Sequence, residues 1–340
     1  MGRGVSRRGL LLGGLALAGG GVLTGLDYNR AWAAQGPTIV SCDGWGARHA
    51  RGILPIYDRR PVKILVHHTA TPNVTKTGQD AAFRLARSIQ NFHMNARGWP
   101  DTGQHFTVSR GGVVLEGRHR SLEFVRVGRH QVEGAHCTGQ NAVALGIENE
   151  GTYSTVDPPA QLWNRLRELC AYLCAQYGIA PTEIYGHRDF KDTACPGDKL
   201  YRALPRLRTE VADLLGRKGG KARKATWPLL RIADRGEQVL AAQYLLRDAG
   251  MAGVVPDGRF TRGLADAVRE FQTAHHFRDD ETAQVTGMIG GETWPALARP
   301  VRVGEDSDAA RAVEVLLRPR RTESVPDVVT PAVWQHLLTP

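Results

Sequence analysis

Apolar positions between residues 38 and 215 recur in two alternating periods. Residues 62–67 form a short apolar run that predicts a strand, and 79–95 predict a helix with Leu85, Ile89 and Phe92 on one face. Residues 105–109 and 113–116 flank Arg110-Gly111-Gly112, a hairpin signal. Residues 143–150 read as another strand, with Val143, Leu145 and Ile147 toward a core. Ala144, Gly146, Glu148 and Glu150 then share the other side, where the small residues leave room for a substrate. A long helix over 159–177 ends at Gly178, a short strand follows at 183–185, and a helix over 198–215 closes the unit. Strands alternating with helices predict an α/β domain, a mixed central β-sheet flanked by helices, over residues 35–215.

The pattern then changes. Residues 216–228 begin as a basic, Gly-rich run and read as a linker. Val239, Ala242 and Leu246 mark one amphipathic helix beyond it, and Leu264, Val268 and Phe271 a second. Val254-Val255-Pro256-Asp257-Gly258 is the turn between them, and residues 229–299 are expected to form a small all-α three-helix domain. Residues 236–246, closing at Thr293-Trp294, are echoed by 304–317, closing at Val333-Trp334, so 300–340 reads as a degenerate second half repeat. At the other end, Ser6-Arg7-Arg8-Gly9-Leu10-Leu11 opens a mild apolar run and Ala31-Trp32-Ala33 offers a cleavage pattern. Residues 1–34 are expected to be a twin-arginine-type signal peptide cut after Ala33 or Ala34, with an uncleaved anchor as the alternative. The mature protein is then secreted or held at the cell wall, and no stretch of it is long enough to span a membrane.

Composition changes this picture in two places. At 340 residues, 42% hydrophobic and 23% charged, the chain suits two globular domains, and its net charge of +10 suits an anionic partner. A bacterial wall, a nucleic acid and a membrane surface all meet that description. The five cysteines fit an oxidising compartment. With Cys195 set aside, Cys42, Cys137, Cys170 and Cys174 allow three disulfide pairings. Cys170 and Cys174, four apart on one helix, are poorly placed to bond each other, and a Cys42 to Cys170 bond would tie down the N-terminal segment.

The candidate chemistry lies in His67, His187 and Cys195. Two nitrogens and a sulfur leave a zinc ion one open position, as a catalytic site requires. His187 and Cys195 are eight residues apart across a loop that holds Asp189, Asp192 and Pro196. His67 and His68 point to opposite faces of a regular strand, so one of them is the ligand and the other packs.

Val66-His67-His68-Thr69-Ala70, Arg97-Gly98-Trp99-Pro100-Asp101, Gly134-Ala135-His136, Gly146-Ile147-Glu148-Asn149-Glu150-Gly151, Gly186-His187-Arg188-Asp189 and Cys195-Pro196-Gly197 occur in that order. Together they resemble the type 2 N-acetylmuramoyl-L-alanine amidase and peptidoglycan recognition protein superfamily. The resemblance implies one zinc ion on His67, His187 and Cys195, and hydrolysis of the amide between N-acetylmuramic acid and L-alanine. It departs at Gln104, where the recognition branch has a catalytic tyrosine, and so moves the general base to Glu148. Thr193 matches the position that hydrogen-bonds the developing oxyanion. His136, Glu150 and Gln104 are candidate substrate contacts, whereas His68, His93 and His105 are read as packing. Gln243, Asp257-Gly258-Arg259-Phe260 and Thr293-Trp294 resemble the peptidoglycan-binding-like module, with Thr261 and Leu264 off its pattern. The implied partner of a monomeric chain is bacterial peptidoglycan, not nucleic acid. A binding-only recognition protein and a zinc peptidase remain as alternatives. The first is opposed by the intact ligand set, the second by the lack of a His-Glu-x-x-His pattern.

Overall fold

The computed structural model describes residues 36–217, 227–279, 282–320 and 326–339. The expected signal peptide and residues 218–226 of the expected linker lie outside the described residues. The first unit runs β1 (Ile39–Val40), α1 (Cys42–Trp45), β2 (Ile56–Tyr57), β3 (Lys63–His68), α2 (Gln79–Asn91) and a π-helical turn (Phe92–Ala96). It continues through β4 (Phe106–Val108), β5 (Val114–Glu116), α3 (Ser121–Val127), β6 (Gln131–Val132), β7 (Ala144–Asn149), α4 (Ala160–Tyr177), β8 (Ile184–Gly186) and α5 (Asp198–Leu214).

Six of these strands form a mixed sheet in the order β1-β5-β4-β7-β3-β8. Only β4 and β5 are antiparallel, as the tight Arg110-Gly111-Gly112 turn requires; the other pairs are parallel and need crossovers. Strand alternation gives the sheet two unlike faces. Ile64, Val66, Phe106, Val108, Leu145 and Ile147 pack under α4 and α5, whose Leu162, Leu166, Leu169, Leu173, Leu200, Leu204 and Leu207 complete the main core. Helix α4 stops where Gly178 adopts φ 77°, a left-handed conformation that costs glycine little. The opposite face carries Leu65, His67 and Glu148, and the site is built there.

Two sequence expectations change. Helix α2 buries Ala82, Ala86 and Gln90, while Leu85 and Ile89 are half-buried and Phe92 is exposed. The reason is polar: Gln90 accepts from Arg48 N and donates to Arg48 O and to the buried Asp101, fixing the helix rotation one position off its apolar stripe. Nor is any disulfide formed among the described residues. Cys42 packs with Trp45, Ala82 and Leu115, Cys137 with Leu65 and Ala144, and Cys170 and Cys174 in the main core. Three separate apolar clusters keep these thiols from meeting in disulfide geometry, and Cys170 and Cys174 are one turn apart on α4. Burial pushes the Cys170 thiol well up and Cys174 to about 12, so both behave as small apolar groups.

Asp101 is fully enclosed and receives His119 through both Nδ1 and backbone N at 2.8 Å. Burial works against its ionised form, but the His119 and Gln90 hydrogen bonds hold its carboxyl below the usual carboxylate range. The same bond raises His119 above the ordinary imidazole value. The Asp101 contribution is therefore present above the ordinary carboxylate pKa and lost as acid titrates the folded carboxyl. The His119 contribution is full below the ordinary imidazole pKa and fades as pH rises through its raised value. In His119→Ala, denaturant titrations from acid to alkaline pH are expected to show a loss of about 1 kcal/mol near pH 6. They should also lose the wild-type decline on the alkaline side; an unchanged decline would refute the assignment.

The second unit comprises α6 (Glu237–Asp248), α7 (Arg262–Ala274), α8 (Thr293–Leu297), β9 (Val301–Arg302), α9 (Asp308–Leu317), β10 (Val328–Val329) and α10 (Pro331–Leu338). One core runs through it, from Trp227 to Leu338, so Trp227 belongs to this unit rather than to a tether. Trp294 Nε1 donates to Pro228 O at 2.7 Å and Trp334 Nε1 to Arg299 O at 2.8 Å, each indole pinning the strand-like entry of its own segment. Among the described residues no helix is long and apolar enough to cross a membrane.

Candidate metal centre

Parallel pairing of β3 with β7 sets His67 opposite Glu148, and pairing of β3 with β8 sets Val66 opposite Gly186, immediately before His187. The chain then turns back. Arg188 N donates to Cys195 O at 3.1 Å, and the Cys195 thiol accepts from His68 N at 3.4 Å. As a result the donor atoms of His67, His187 and Cys195 lie within 4.8 Å of one another. His68, one residue along the strand, is not in that group; its Nδ1 accepts from Tyr153 N at 3.2 Å.

The surroundings favour the form of His67 that binds a metal. Burial first, then His187, His136, His68 and His105 around it, hold His67 well below the ordinary imidazole pKa, so its ring is neutral as ligation requires. His67 Nε2 lies 3.1 Å from His136 Nδ1, and His136 Nε2 lies 3.4 Å from the Ala144 carbonyl. A carbonyl only accepts. His136 therefore donates from Nε2, and with its Nδ1 accepting from His67 Nε2 the His67 Nδ1 lone pair is left open. That nitrogen is also the one 3.8 Å from Glu148 Oε1. Two imidazoles and a thiol, converging with a free lone pair, are a donor set suited to zinc.

The remaining candidates separate into those near the cluster and those elsewhere. Thr193 Oγ1 accepts from Cys195 N at 3.2 Å, and Thr193 lines a cleft of about 470 Å³ with His187 and Cys195. His136 occupies the space above the sheet: a Cβ on Gly146 would lie 2.5 Å from its ring, so the room expected there for substrate is filled. Glu150 accepts from Arg110 N at 2.7 Å and serves the hairpin instead of the cluster. Gln104 is buried and donates to Thr107 Oγ1 at 2.9 Å, on the residue paired with Glu148. His93 accepts from Gly103 N at 3.1 Å and His105 from Gly146 N at 3.0 Å; burial brings both rings down to about 4.

Sequence reading passed over Asn149, whose Nδ2 donates to His67 O at 2.8 Å and braces the ligand strand. It also missed Asp189, which accepts from Gly186 N at 2.9 Å and from the Tyr201 hydroxyl at the start of the loop. Neither has a periodicity signal, since each acts through a backbone or ring reached only after folding.

The fold and cluster define an α/β protein with a three-donor candidate metal centre open to a cleft. A family model described as N-acetylmuramoyl-L-alanine amidase matches residues 57–198, and one described as a putative peptidoglycan binding domain matches residues 235–297. Peptidoglycan recognition protein 1 of Bos indicus is 34% identical over 170 residues, 49% of this chain and 82% of its own. The N-acetylmuramoyl-L-alanine amidase of Homo sapiens is 32% identical over 171 residues, 49% of this chain and 28% of its own. The structure of wild-type Drosophila PGRP-LB is 28% identical, covers 49% of this chain and 92% of that chain, and has a TM-score of 0.43. The chain belongs to the N-acetylmuramoyl-L-alanine amidase and peptidoglycan recognition protein family. Cleavage or binding of peptidoglycan is the activity that membership supports.

Proposed function

We propose that this protein is an exported, zinc-dependent amidase that hydrolyses the bond between N-acetylmuramic acid and L-alanine in bacterial peptidoglycan. The observation that carries the reading is the convergence of His67, His187 and Cys195 beside the Glu148 carboxylate, at the edge of an open cleft. When bound, a zinc ion supplies positive charge that polarises the scissile carbonyl and acidifies an attacking water. Glu148 would serve as the base toward an attacking water and then as the acid toward the leaving nitrogen. Thr193 stands at the cleft wall to donate toward the developing oxyanion, and His136 keeps His67 in its ligating tautomer. The intact donor set favours catalysis over a binding-only role, and Gln104 leaves Glu148 as the base. Export rests on the paired Arg7 and Arg8 ahead of the mild apolar run, and a charge of +10 suits an anionic wall.

Protein recovered from the medium of its own host is expected to begin at Ala34 or Gln35. Digested sacculi are expected to yield free muramoyl ends with intact stem peptides by mass spectrometry. Chelator should stop the reaction and zinc restore it. Shortened peptides would make the protein a peptidase, and absence of products a binding protein.

A further inference from the structure

Asp192, in the loop between His187 and Cys195, is 5% exposed, and its carboxylate enters the C-terminal unit. Its Oδ1 accepts from Gly290 N at 2.7 Å, Thr293 N at 3.0 Å and Glu292 N at 3.3 Å. Its Oδ2 accepts from Gln272 Nε2 at 3.1 Å and from the Thr293 hydroxyl. A carboxylate this buried is costly unless its lone pairs are matched, and these donors all come from the other unit. Backbones approach closely because two glycines permit it. A Cβ on Gly291 would lie 2.6 Å from the Asp189 carbonyl group, and one on Gly290 3.1 Å from Lys191 O. Lys191 pairs with Glu292 at 2.8 Å, and Asp198 is shared by Arg188 of the ligand loop and Arg231 of the second unit.

The cleft has the same composite construction. His187, Thr193 and Cys195 line one side; Arg269, Gln284 and Thr286 of the second unit line the other. The second wall offers the Arg269 guanidinium, the Gln284 amide, the Thr282 and Thr286 hydroxyls and the Asp279 carboxylate beside Val285 and Met288, with no aromatic ring among its described residues for a sugar to stack on. Such groups match the amides and carboxylates of a stem peptide better than a glycan.

We propose that the C-terminal unit is part of the catalytic cleft: Asp192 locks it to the loop bearing His187 and Cys195, and Arg269 and Gln284 form a wall that binds the stem peptide. Asp192 is a positioning residue, since it reaches the ligands only through the loop. The inference rests on the amidase reading. It differs from a tether, which raises local concentration on polymeric wall and leaves a small soluble substrate unaffected.

The test uses the full chain, a soluble muramoyl-peptide without a glycan strand, and zinc affinity by chelator competition. R269A/Q284A is expected to raise KM for the soluble substrate about tenfold with kcat within about twofold. An unchanged KM would overturn the wall. D192N is expected to weaken zinc binding about tenfold, and Thr293→Val, which removes one donor from outside the loop, by a few fold. Wild-type affinity in both, or in Thr293→Val alone if D192N does not fold, would overturn the lock. If wild-type protein binds zinc but cleaves neither substrate nor sacculi, the amidase reading falls while the zinc comparison still decides the lock.

Discussion

Glu148→Gln is expected to lower kcat on a muramoyl-peptide by about a thousandfold while zinc content and KM stay near wild type. Glutamine keeps the size and the acceptor oxygen of the side chain but cannot take a proton. The effect is large because the position is set by the sheet: Glu148 and His67 are paired across β7 and β3, and their polar atoms stand 3.8 Å apart. Glu150, two residues along, is bound to the Arg110 amide and is not placed to substitute. Turnover near wild type with a full complement of zinc would remove Glu148 from the role.

Cys195→Ala is expected to cost more than the roughly 10–100-fold loss of affinity that follows from removing an outer partner of a metal ligand. Zinc should fall below one equivalent after dialysis, with no measurable hydrolysis. Cobalt-loaded wild type should show thiolate-to-metal charge transfer that the variant lacks. Folding should survive, because the thiol's hydrogen bonds to His68 N and O, at 3.4 and 3.9 Å, are weak. Ligand binding stabilises the folded state by about 4 kcal/mol at a thousandfold excess over Kd. Wild-type unfolding should therefore respond to zinc, and the variant's should not. Full zinc binding and charge transfer in Cys195→Ala would exclude the sulfur from the site.

Much of the first unit was legible because its signals are local. A short apolar run marked β3, alternation marked the two faces of β7, the Arg110-Gly111-Gly112 turn marked the hairpin, and Gly178 marked the end of α4. The motifs named the candidate donors for the same reason, since each is a short run of residues. Where a polar side chain sets the packing, periodicity misleads: Gln90, bonded to Arg48 and Asp101, turned α2 away from Leu85, Ile89 and Phe92. Cysteine number likewise says nothing of distance, and the thiols fell into separate clusters.

Strand periodicity required that His67 and His68 face opposite ways, and residue chemistry required two imidazoles and a thiol if a metal is held. Those conclusions need no partner segment. Register does: it is the pairing of β3 with β7 and β8 that brings His67 beside Glu148 and His187, and His136 over Gly146. The use of Asp192 was hidden most completely, because its donors lie 80 to 101 residues further along the chain. Spacing within a segment is written in covalent geometry, whereas contact between distant segments exists only once their buried faces and unmatched polar groups have found each other.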